Sequence, residues 1–93
     1  MGFAWSPAKN KRNVAKHHLA FEEAVQIFDA GYLEKVDDRF DYDEERIMAF
    51  GEADGVVITV IYTWRGDDRR IISARRAEPD EAAAYYEVMY GSN

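Results

Sequence analysis

A chain of 93 residues has room for one hydrophobic core, so residues 1–93 read as a single domain. A content of 47% hydrophobic and 14% aromatic residues is ample for burial, and the lack of cysteine excludes disulfides, thiolate metal sites and thiol catalysis. The net charge of −6 argues against a polyanionic partner, but it is laid out in blocks: residues 1–21 and 55–77 are basic, residues 22–54 and 78–93 acidic.

The leading residues Met1 to Pro7 hold no basic stretch followed by an apolar one, and no run is long enough to span a bilayer, so a cytoplasmic protein without membrane contact is expected. Gly2 and Ser6 give a loose lipidation pattern that lacks a second membrane signal. Ser6-Pro7 reads as a cap and a first helical proline, opening a polar helix over roughly 7–17. Phe21, Ala24, Val25 and Phe28 then form the buried stripe of a second helix that ends near Asp29. Residues 32–37 make a weak first strand, and residues 38–44 an acidic loop. Residues 45–52 alternate as a second strand, with Arg46, Met48 and Phe50 on one side. Asp54-Gly55 is a hairpin turn leading into Val56 to Arg65, dense in β-branched and aromatic residues and hence a central strand. Gly66 to Asp68 turns the chain into a fourth strand over 69–76, and Pro79 to Tyr90 forms a last helix with acids in its first turn. Two N-terminal helices, an antiparallel sheet of three to four strands and a C-terminal helix define an α+β domain.

Alternation assigns faces in the central hairpin. Val56, Ile58, Val60, Tyr62 and Trp64 share one face, which takes the helices; Thr59, Ile61, Thr63 and Arg65 share the other. With Arg65 opposite Arg69, residues Ile71, Ser73 and Arg75 join that second, open and more polar face. Two guanidiniums there would make an oxyanion clamp, although the pattern alone is better matched by salt bridges to a neighbouring element or by solubility. On the first helix Lys9, Asn13 and His17 recur every four residues, with Lys16 beside them. Such a stripe can grip phosphate and move protons, or be a solvated helix face. Adjacent His17 and His18 point apart on a helix, so no metal site is expected, and no cofactor is implied. Tyr85 and Tyr86 offer stacking surface for bases or core packing.

Taken together, Phe3-Ala4-Trp5, Lys9, Asn13, Lys16-His17, Phe21-Glu22-Glu23-Ala24, Glu45-Arg46, Tyr62-Thr63-Trp64-Arg65, Arg70 to Ala77, and Glu81 with Tyr85 resemble the BrnT toxin family. The resemblance implies a RelE-like fold and a ribonuclease that blocks translation. It also implies a BrnA-type antitoxin that neutralises the toxin and carries the contact to operator DNA. On this reading Lys9 and Arg65 stabilise phosphate charge, His17 transfers a proton, and Arg75 or Arg76 positions the scissile group. Asn13, Lys16, Thr63, Ser73 and Tyr85 would contact the RNA. The family usually has glycine after Lys-His, where this chain has His18. A non-catalytic member that pairs with the antitoxin and aids repression is the alternative reading.

Overall fold

In the computed structural model, which describes residues 2–39 and 43–91, Ser6 caps the first helix as its sequence predicts. Its Oγ accepts a hydrogen bond from the Lys9 amide at 3.3 Å, and Pro7 opens α1 (Pro7–His17). The helix stops at His18, whose backbone is left-handed (φ 57°) and whose N–H donates to the Val14 carbonyl. A side chain is thus accommodated where the family's glycine is expected, at a cost of roughly 1 kcal/mol.

The second helix is shorter than its apolar stripe predicts. It is α-helical over Phe21–Ala24 (α2) and tightens into a 3-10 turn over Val25–Asp29. The turn sets Ile27 against the sheet at Gly51, where an added Cβ would lie 2.7 Å from the Ile27 Cβ.

Five strands follow the order β1-β5-β4-β3-β2: β1 (Gly2–Ala4), β2 (Leu33–Val36), β3 (Ile47–Ala53), β4 (Val56–Arg65) and β5 (Asp68–Arg76). The expected sheet of three to four antiparallel strands is therefore enlarged by β1, which pairs in parallel with β5. Three residues carry too little alternation to announce a strand, and only the exposed edge of β5 makes them one. Part of the acidic loop expected over 38–44, at residues 40–42, lies outside the described residues.

Two tight turns set the register. Asp54 and Gly55 both have positive φ, as a type I′ hairpin needs, and join β3 to β4. Gly66 (φ 61°) leads a two-residue turn that places Arg65 opposite Asp68 rather than Arg69. A bulge between Ile61 and Tyr62 of β4, with Ile72 as the extra residue of β5, then compensates: Ile61 pairs with Ser73 and Thr59 with Arg75. Ile71 consequently lies opposite Tyr62 on the first face, not with Thr63, while Ser73 and Arg75 keep their expected face.

Both faces carry a core. On the first, Phe21, Ala24 and Ile27 pack with Ile58, Val60, Tyr62, Ile71 and Ala74. On the second, Tyr85 of α3 (Pro79–Tyr90) packs with Met48, Phe50, Val57 and Ile61. This half of the face, expected to be open, is covered because α3 carries apolar residues that need burial. The strand ends bearing Arg46, Thr63, Arg65 and Arg70 lie beyond that contact.

Candidate active site

Asn13 fixes α1 to the sheet. Its side-chain Nδ2 donates to the carbonyls of Ala74 and Leu19, each at 2.8 Å, while its Oδ1 accepts from the Ala74 N–H at 3.1 Å. The amide thus pairs with Ala74 as a neighbouring strand would, beyond the point where β1 stops covering the edge of β5. This buried contact sets the rotation of α1 and aims the rest of its four-residue stripe.

The outcome is a concavity of about 450 Å³ lined by Lys9, Arg12, Asn13, Lys16 and His17 from α1, with Arg46, Ile72 and Ser73 from the sheet. The α1 residues expected at a site are thereby brought together with Ser73. Arg12 and Arg46 are additions. Arg12 is three residues from Lys9 on the helix, and Arg46 shares the side of Met48 and Phe50, so both were marked by spacing. Four formal cations line the space and, among the described residues, no carboxylate does. Glu44 forms an ion pair with Arg46, its Oε2 3.6 Å from Arg46 Nε.

His17 sits among these charges. Partial burial, then the positive charges of Lys16 and Arg75, hold its imidazole below the ordinary 6.5, so the neutral, proton-accepting form is favoured near neutrality. Arg75 stands close enough to exert this effect but is itself engaged: its Nη1 and Nη2 donate to the two oxygens of Glu81 at 2.8 and 3.1 Å. Glu81 also accepts from Thr59 Oγ1 at 3.2 Å and the Glu78 N–H at 2.8 Å. Arg75 is therefore a fixed charge beside the cleft rather than a free arm.

Other expected residues lie elsewhere. Arg76 faces the opposite side of the sheet, near His18 and Glu23. Tyr85 is buried in the second core, with its hydroxyl directed to Glu52, and offers no stacking face. Thr63 donates its hydroxyl to the Glu45 carbonyl at 2.8 Å. Arg65 is exposed at the hairpin tip; Asp68 opposite it is five positions along β5 from Ser73, roughly 15 Å at the rise of a strand.

The fold and its cleft, lined by cations around one imidazole, define a class of small α+β proteins with a surface electrostatically complementary to an oxyanion. Residues 5–81 match the family described as ribonuclease toxin, BrnT, of type II toxin-antitoxin systems. The crystal structure of the Brucella abortus ribonuclease toxin BrnT superposes with a TM-score of 0.64 at 33% sequence identity, covering 84% of this chain and 97% of that one. No curated protein matches the chain. The chain belongs to the BrnT family of ribonuclease toxins. Among the described residues, no helix is long and apolar enough to cross a membrane.

Proposed function

We propose that this chain cleaves RNA without metal assistance, by attack of a ribose 2′-hydroxyl on the adjacent phosphate, and that it thereby arrests translation in the cytoplasm. The observation that carries this reading is the neutral-biased His17 imidazole in a cleft with Lys9, Arg12, Lys16 and Arg46. His17 takes the 2′-hydroxyl proton and the 2′-oxygen bonds to phosphorus. The bond from phosphorus to the 5′-oxygen then breaks, with the departing oxygen protonated from solvent. The products are a 2′,3′-cyclic phosphate and a 5′-hydroxyl. Lys9 and Arg46 hold the phosphate oxygens as charge accumulates, and Arg75, clamped by Glu81, adds a fixed field. Lys16 and Ser73 contact the neighbouring nucleotide, and Asn13 holds the helix that carries the stripe. Arg65 and Tyr85 take no part in this step. The partner is a BrnA-type antitoxin, and operator DNA is reached only through the complex of the two.

Expression of the chain alone in a bacterial host should arrest growth, while His17→Ala at equal soluble level should not. The purified protein should leave a 2′,3′-cyclic phosphate on an RNA oligonucleotide and fail on one with a single 2′-deoxy position at the cut. Normal growth together with intact RNA would overturn the reading.

A further inference from the structure

Beyond the cleft, the same sheet face continues past Ser73 to the hairpin tip, and its side chains are set by the bulge at Ile72. Positions 70 and 73 are three apart, so regular alternation would send them to opposite faces. The extra residue cancels that alternation. Arg70, which pairs with Thr63, therefore falls on the face of Ser73 and Arg75, and Arg65 lies two residues beyond Thr63 on the same face. The row from Arg75 to the tip spans roughly 20 Å at the rise of a strand. Among the described residues neither Arg65 nor Arg70 makes a side-chain hydrogen bond or ion pair. Asp68, across from Arg65, is a carboxylate at the end of this row.

Unpaired guanidiniums kept in line with a cationic cleft are placed to take further phosphates of the same strand. The aromatic residue between Thr63 and Arg65, Trp64, faces the other side, where its ring lies 5.6 Å from that of Tyr62. Among the described residues the row consequently offers charge without a stacking platform, which suits backbone binding with little base preference.

We propose that Arg70 and Arg65 form a second phosphate-binding site, which holds the nucleotides flanking the scissile one in a single-stranded RNA. This rests on the ribonuclease reading for the identity of the strand, and it assigns these arginines to substrate length rather than to the chemical step.

The test uses labelled, fully 2′-O-methylated RNA of two and of six nucleotides, which the proposed chemistry cannot cut, with binding followed by fluorescence anisotropy. The six-nucleotide probe should bind the parent at least tenfold more tightly than the two-nucleotide probe. In Arg70→Ala with Arg65→Ala that ratio should fall to within about twofold. The logarithmic salt slope for the longer probe should become shallower by about 0.7 for each arginine removed. Arg65→Ala alone, at an exposed position, should lose part of the ratio and guards against misfolding of the double variant. A parent ratio near one, or a ratio that survives both substitutions, would overturn the proposal. Cleavage of unmodified RNA by the parent separates the two readings. Length-dependent, arginine-dependent binding without cleavage would sink the nuclease and keep the second site, and cleavage with no arginine-dependent gain would do the reverse.

Discussion

Asn13 and His17 are one turn apart on α1 and do different work. Asn13 is buried, and its amide satisfies both backbone groups of Ala74. Replacing it with alanine strands that N–H and carbonyl away from solvent, which costs about 2–4 kcal/mol. We expect Asn13→Ala to lower the unfolding free energy measured by urea titration by that amount, and to reduce cleavage further by loosening the helix that carries the stripe. His17 should show its role in a pH profile instead. Its imidazole is held below 6.5 by partial burial and the charges of Lys16 and Arg75. As a general base it must be unprotonated, so kcat/KM should be level near pH 7 and fall on the acid side through a pKa under 6.5. Lys16→Ala removes one of the depressing charges and should move the acid limb upward in pH. An acid limb that stays in place would separate the imidazole from the proton transfer. The same depression makes the neutral ring a small contributor to stability above its unfolded pKa, lost as the pH falls.

At the scale of elements, α3 is tied to β5 by the carboxylate of Glu81. Burial pushes this carboxyl up, but Arg75, the Glu78 N–H and Thr59 together hold it below the ordinary 4.5. A depressed carboxyl contributes stability that is complete above its unfolded pKa and lost as pH falls through the folded value. Glu81→Gln should therefore cost about 1–2 kcal/mol at pH 7, and the difference from the parent should shrink in denaturant titrations taken progressively below pH 4.5. Such contacts explain what the sequence could and could not tell. Bounds of α1, β4 and α3 were readable because Ser6-Pro7, the β-branched run and Pro79 are local signals. The stripe of Lys9, Asn13, Lys16 and His17 was readable for the same reason. The bulge at Ile72 was not, because no glycine marks it, and its effect on Ile71 and Arg70 is a property of two paired strands. Arg69 was hidden similarly: the two-residue turn sends it to the first face, where its guanidinium carbon lies 4.4 Å from the Phe28 ring and 4.7 Å from Trp64. A charged residue in a strand gives no sign that it will be boxed by aromatics from the paired strand and from residues 28–32.

For the whole molecule, the blocks of charge along the chain become regions in space. The amide of Asn13 joins α1, which carries the first basic block, to β5, which carries the second, so Lys9, Arg12 and Lys16 meet Ser73, with Arg75 near enough to act on His17. Part of the acidic charge is led away, with Glu34 on β2 at the far edge of the sheet and Glu52 under α3 beside Tyr85 and Tyr90, while Glu44 and Glu81 pair with Arg46 and Arg75. A net charge of −6 therefore does not describe what an approaching strand of RNA meets at the cleft. Two outcomes follow from which of the two governs binding. If the total charge governed it, added salt would screen a repulsion and speed the reaction. If the cleft governs it, each phosphate neutralised contributes a slope of about −0.7 on a double-logarithmic plot. With three to four cleft cations engaged, kcat/KM for a short RNA should fall at least tenfold between 50 and 200 mM salt, within the range such counterion release produces. Lys9→Ala should reduce the steepness of that fall by about one phosphate contact, and charge reversal of Glu34 on the remote edge should leave the slope as it was. A rate that is flat or rising with salt would mean that the cleft's cations do not receive the phosphates.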